Sequence, residues 1–185
     1  MDLNLSDEQR LLRESADRFI AETYDADHRR RSAGDPLGYS PAIWKQFADL
    51  GWLALPISEQ YGGLGAGPVE TGIVMEAFGR GLVAEPYLAT VVIGAGLIAA
   101  CGSEAQKQTM LAKVADGSLC LAFAHSERAA RFDLAYVETT ATKTAGGWRL
   151  DGRKIAVLDG HAAGQIIVSA RVAGDDGTAG KLSLF

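Results

Sequence analysis

The apolar residues of this chain change period once, at Gly117, and that single change limits what the chain can fold into. Before Gly117 they recur every three to four residues, the spacing of one helix face. After it they come in short β-branched or aromatic runs broken by turn residues, the pattern of strands. A block of helices followed by a block of strands, rather than an alternation of the two, predicts an α+β chain in two units. Its 185 residues suffice for one ordinary domain or two small ones. The boundary is placed near residue 117, with a helical unit over 1–117 and a β unit over 118–185.

Local signals fill in the helical unit. Ser6 opens "SDEQ", a capping box with Gln9, and Leu11, Leu12, Ser15, Ala16, Phe19 and Ile20 follow on one face. "HRRRSAGDPLGY" reads as a polar connection. Ser40 and Pro41 start another helix, with Ile43, Trp44, Phe47 and Leu50 as its buried stripe and Gly51 as its stop. The glycines of "SEQYGGLGAG" lack the Lys-Ser/Thr of a phosphate loop and predict a structural loop instead. A helix from Val69 to Arg80 buries Ile73, Val74, Ala77 and Phe78. The stretch from Pro86 to Cys101 is apolar nearly all round, which predicts a helix enclosed by others. Ser103 and Gln106 form a second capping box.

In the β unit, "SLCLAFAH", "YVETTATKT", "WRLDGRKIAVL", "QIIVSARV" and "KLSLF" read as five strands. Gly146-Gly147 predicts a tight hairpin and Asp151-Gly152 a turn. The last run reaches Phe185 without a turn, so an unfinished sheet, and hence a piece of a longer protein, is expected.

Composition excludes several classes of function. A hydrophobic share of 48% with 22% charged residues predicts a soluble protein with a sizeable core. The net charge of −5 gives nucleic acid no footprint, and His28-Arg29-Arg30-Arg31 is too short to supply one. Cys101 and Cys120 lack metal-ligand or redox spacing and are expected to pack as small hydrophobes, so no metal is predicted. The N-terminus shows no signal peptide, and the uncharged run ending at Cys101 is too short for a bilayer. No membrane association and a cytoplasmic location follow as expectations.

The chemistry concentrates where "LCLAFA" ends in His125, Ser126, Glu127 and Arg128. An apolar strand that stops in a polar elbow without Gly, Pro or Asn is either a solvated loop or a binding site. The helix-then-strand order, together with "FADLGWLALPISEQYGGLG", "GSEAQKQTMLAKVADGSLCLAFAHSE" and "GWRLDGRKIAVLDGHAAGQIIVSAR", resembles the acyl-CoA dehydrogenase family over the whole chain. "VMEAFGRGLVAEPYLATVV" and "AFAHSERAARFDLAYVETTA" resemble more narrowly the small subunit of its heteromeric pimeloyl-CoA dehydrogenase branch.

That resemblance implies an N-terminal helical domain and part of an antiparallel middle β domain, with the C-terminal four-helix domain absent. It implies FAD as cofactor and α,β-dehydrogenation of an acyl-CoA thioester, with a dicarboxylyl-CoA such as pimeloyl-CoA as a candidate substrate. The catalytic Glu belongs to the C-terminal domain, so no catalytic residue is expected in these 185 residues. Phe123, His125 and Ser126 fall on positions that line the flavin. Ala156 and Leu158 replace the usual Trp and Thr against its ring. Arg131 and Phe132 lie where the family contacts substrate, and Arg128 or Arg131 is suited to a terminal carboxylate. His161 reads as a turn residue. The implied partners are a related large subunit, or a second copy, and electron-transfer flavoprotein as electron acceptor. A non-catalytic assembly subunit is the alternative.

Overall fold

The computed structural model describes residues 4–172 and 181–185, so Met1–Leu3 of the acidic N-terminal stretch lie outside the described residues. The chain divides into two compact units, Met1–Cys120 and Leu121–Phe185. The first is helical and the second carries the sheet, so the α+β class holds.

In the helical unit, α1 (Asp7–Thr23) starts at the Ser6–Gln9 capping box, both halves of which are formed. It buries Ala16 and Ile20 but leaves Leu11 exposed. The expected polar connection is instead a helix, α2 (Ala26–Gly34), capped by the Asp25 side chain on the His28 N–H. Its only buried residue is Ser32, so no apolar stripe advertises it. α3 (Pro41–Asp49) begins with Pro at its first position and buries Ile43, Trp44 and Phe47, while Leu50 is exposed. Gly51 follows in the left-handed region at φ 76°, as a helix stop requires. α4 (Pro68–Gly81) buries the four residues expected of it.

The core is aromatic. Phe47 stacks on Phe78 with centroids 4.7 Å apart, and Trp52 lies edge-on to Phe19 at 5.3 Å. Tyr87 closes the cluster edge-on to Phe78 at 5.1 Å and donates its hydroxyl to the Trp52 carbonyl at 3.1 Å.

The apolar stretch ending at Cys101 is π-helical over Leu88–Ala95 and α-helical over Gly96–Cys101 (α5). It is not enclosed all round: Leu88, Val92 and Cys101 are exposed. Cys101 therefore does not pack as expected, whereas Cys120 is buried with its Sγ 3.8 Å from the Tyr39 hydroxyl. Ser103 and Gln106 form their capping box at α6 (Glu104–Gln106), which passes through a π-turn into α7 (Ala112–Ala115). Between α4 and Leu88, Glu85 is buried; one carboxylate oxygen accepts the Ser40 N–H at 3.2 Å and the other has no hydrogen-bond partner among the described residues.

The glycine-rich loop is structural, as expected. The N–H groups of residues 62–66 donate in turn to the carbonyls of Glu59, Ser58, Ala54, Ile57 and Leu55. None remains for a phosphate.

The second unit holds β1 (Leu121–Ala124), β2 (Thr140–Thr144), β3 (Gly147–Asp151), β4 (Gln165–Val172) and β5 (Leu182–Leu184). β4 organises it. β1 runs parallel to its first half, from Leu121↔Gln165 to Ala124↔Val168. β2 is parallel to its last two residues and antiparallel to β3, and β5 is antiparallel to β4. The sheet is thus mixed rather than purely antiparallel. The hairpin turns at Ala145-Gly146, one residue earlier than expected, with Thr144 opposite Gly147.

Two strands are shorter than their apolar patterns. The expected strand from Tyr136 starts only at Thr140, because side chains already hold the backbone before it. Arg171 donates to the carbonyls of Ala135 and Val137, and Glu127 accepts the N–H groups of Glu138 and Thr139. β3 stops at Asp151 because Gly152 packs on Thr139: a Cβ there would lie 2.4 Å from its Oγ1 and 2.8 Å from its Cα.

Candidate functional site

β1 delivers the elbow. Successive strand side chains alternate between faces, so Ala122 and Ala124 are buried on one side while Phe123 and His125 share the other. Their rings stack, with centroids 5.1 Å apart and planes at 22°, and form a half-buried ledge. Ser126 turns out of this ledge and is exposed.

Beneath the ledge lies a polar knot that sequence reasoning did not find. The Lys154 and Glu127 side chains, 8% and 4% exposed, pair at 2.7 Å. Lys154 Nζ also donates to the His125 carbonyl at 3.2 Å and to Ser169 Oγ at 3.0 Å, which uses its three donors. Glu127 Oε1 further accepts the Thr139 N–H at 3.0 Å and the Thr139 hydroxyl at 2.6 Å, and Oε2 accepts the Glu138 N–H at 2.6 Å.

Burial by itself pushes the Glu127 carboxyl up, but Lys154, the Thr139 hydroxyl and the two N–H groups outweigh it and hold it down at about 2. Ser169 Oγ accepts from Lys154 and is also hydrogen-bonded to His125 Nδ1, 3.1 Å away, which ties the ring to the knot.

Among the sequence-predicted site residues, the structure brings two groups together. Phe123 and His125 form the ledge, and the Ser126 carbonyl accepts the Ile155 N–H at 2.9 Å, which sets the elbow beside the segment carrying Ala156 and Leu158. Ala156 sits in the left-handed region at φ 49°, and Leu158 is 47% exposed. Neither offers an aromatic face. Among the described residues, the Ser126 N–H and hydroxyl have no partner, so the elbow presents two adjacent free donors.

Arg131 and Phe132 are not drawn into this cluster. Arg131 has φ 50° in an exposed turn, and Phe132 is 99% exposed. Arg128 instead lines a cavity of about 410 Å³ with Arg153 and Glu138. His161 is exposed in a turn. Among the described residues, no group of three His, Cys, Asp or Glu could hold a metal ion, and no helix is long and apolar enough to cross a membrane.

Comparison with known proteins gives these groups a context. Residues 6–118 match the model of the acyl-CoA dehydrogenase N-terminal domain. The chain is 32% identical over 186 aligned residues to the L-prolyl-[peptidyl-carrier protein] dehydrogenase of a Serratia strain, covering 97% of this chain and 47% of that protein. Among solved structures, the FAD complex of PigA superposes with a TM-score of 0.82 at 31% identity, over 100% of this chain and 49% of the other. The ChsE4–ChsE5 complex of Mycobacterium tuberculosis does so with a TM-score of 0.84 at 26% identity, over 100% and 48%. The chain thus spans about half the length of the relatives it matches. A family model that covers the helical unit, more than half of the chain, settles the family: this chain belongs to the acyl-CoA dehydrogenases.

Proposed function

We propose that the chain forms part of a flavin-dependent acyl-CoA dehydrogenase that performs α,β-dehydrogenation of an acyl-CoA thioester, with FAD held against the β1 elbow. The observation that carries this reading is the pair of free donors at Ser126, exposed at the end of β1 beside Ala156 and Leu158. The residues present fit such a group at its polar edge. The Ser126 N–H and hydroxyl suit the flavin's pyrimidine edge, the Phe123–His125 ledge borders it, and Ala156 and Leu158 give an apolar cover without ring stacking. When bound, the flavin supplies the acceptor for hydride leaving the β carbon of the substrate.

This chain's own part is to bind and orient. Ser126 donates to an edge that becomes anionic on reduction, where fixed donors are most effective. Arg131 is proposed to receive the far carboxylate of a dicarboxylyl-CoA such as pimeloyl-CoA, since a guanidinium binds carboxylate in bidentate fashion. The exposed Phe132 is proposed to cover the neighbouring acyl thioester. No residue of this chain is proposed as the base. A related large subunit, or a second copy, completes the site, electron-transfer flavoprotein takes up the electrons, and the cytoplasm is the proposed location.

A second reading, a non-catalytic assembly subunit, is favoured by Ala156 and Leu158, which leave a flavin ring without an aromatic neighbour on this side. Co-purifying the full-length protein with its partner and measuring flavin content and acyl-CoA oxidation separates the two. In an active preparation, Ser126→Ala is expected to slow flavin reduction by roughly 10- to 150-fold, from about 1.5–3 kcal/mol for a hydrogen bond to a charged group. Arg131→Ala should weaken only dicarboxylyl substrates. A flavin-free, inactive complex would reject the enzyme reading.

A further inference from the structure

The knot under the elbow does more than fill space. A peptide bond is planar and trans, so its C=O and N–H point in opposite directions. The carbonyl of the His125–Ser126 peptide is drawn inward by the buried Lys154 ammonium at 3.2 Å. The N–H of that same peptide, belonging to Ser126, therefore points outward, and it is one of the two free donors of the elbow. The next carbonyl, that of Ser126, is held by the Ile155 N–H at 2.9 Å, so the following peptide is pinned and a flip of the His125–Ser126 peptide must break the bond to Lys154.

We infer that Lys154 is a positioning residue for the flavin edge, aiming the Ser126 N–H outward and sharpening it as a donor. A cation bonded to a carbonyl withdraws electron density from its amide, and hydrogen bonds in series strengthen one another in a low dielectric. Lys154 is well placed for this, being 8% exposed and bonded also to Ser169 Oγ, which is wholly buried in β4. Glu127 makes the arrangement tolerable. It neutralises the ammonium, and its other oxygen is occupied by the Glu138 N–H. The pair brings no net charge to the site, only a directed dipole through one peptide. The inference rests on the flavin reading above.

The test uses the complex purified from its host. Lys154→Met alone strands a buried carboxylate, so the informative protein is the double variant Lys154→Met/Glu127→Gln, which removes both charges at nearly constant volume. Two quantities are measured: the Ser126 amide proton shift by NMR, and the two-electron midpoint potential of bound FAD. The expected result is an upfield shift of the amide proton, with a potential lower by about 30 mV. That corresponds to reduced flavin held about tenfold less tightly relative to oxidised flavin.

A merely structural strut would lower the melting temperature or flavin occupancy, but not the potential of the flavin that stays bound. A folded, flavin-loaded double variant with wild-type potential overturns the role of Lys154 and leaves the flavin reading intact. A wild-type complex that takes up no flavin overturns that reading itself.

Discussion

Replacing Glu85 by glutamine is expected to stabilise the helical unit at pH 8 and to leave it nearly unchanged at pH 4.5. The residue is 5% exposed, one carboxylate oxygen accepts the Ser40 N–H and the other, among the described residues, has no hydrogen-bond partner; burial raises the carboxyl to about 7, outweighing the nearby backbone N–H groups of Ser40, Ala84 and Glu85 that favour its charge. Its ordinary value is 4.5. A group held above its unfolded value contributes its full stability below that value and loses it as pH rises through the folded one. Folding therefore carries a growing cost between pH 4.5 and 7, which levels off at about 3 kcal/mol at about 1.4 kcal/mol per pH unit.

Glu85→Gln keeps the shape and the contact with Ser40 but never ionises. Its advantage over wild type should be near zero at pH 4.5 and about 3 kcal/mol at pH 8, or on the order of 10 °C in melting temperature for a unit of this size. Urea unfolding followed by tryptophan fluorescence measures it. In a Trp148→Phe background the signal comes from Trp44 and Trp52, both in the helical unit. A pH-independent difference between the two proteins, or a variant that is less stable at pH 8, would refute the reasoning.

Two further predictions concern other parts of the chain. Gly63→Ala places a Cβ 1.9 Å from the Ile57 carbonyl oxygen, backbone that cannot move aside, so it should cost more than about 3 kcal/mol or prevent folding; a melting temperature within a degree of wild type would contradict the loop geometry. Glu127 is held at about 2, so its contribution to the β unit is present above pH 4.5 and is lost as pH falls toward 2, about 3 kcal/mol in all. The protection factors of the Glu138 and Thr139 amides, their exchange taken relative to the intrinsic rate at each pH, should fall over that window, and a Glu127→Gln protein should show no such step.

What was legible in the sequence was what is decided locally. Both capping boxes, the Ser40–Pro41 start and the Gly51 stop depend on residues within four positions of one another, and all formed. α2 was hidden because it has almost no apolar face; its cap and the bond from Arg29 to the distant Leu82 carbonyl hold it. The shortened β2 and β3 have the same kind of cause, since side chains from residues 127 and 171 and the Gly152–Thr139 approach claim backbone that the apolar pattern assigns to strands. At the candidate site, the elbow was visible because polar residues end an apolar run abruptly. Lys154 was not, because its partners at 125, 127 and 169 are remote in sequence; the one trace was a lysine set against the apolar run Ile155–Leu158.

The dependence of the sheet on β4 also bears on how the chain emerges from a ribosome. β1 has no hydrogen-bonding strand until Gln165–Val168 has been synthesised, and β2, once zipped to β3, still lacks its other neighbour. Closure of these distant pairings waits on one late segment, so the β unit should condense in a single step rather than strand by strand. Until then Leu121–Ala124 is a sticky apolar edge, the sort that nascent-chain chaperones shield. A chain that has cleared the ribosome only as far as residue 164 would thus display a β2–β3 hairpin and an unsatisfied β1, whereas one that has cleared it past residue 172 would carry the β4 pairings of both.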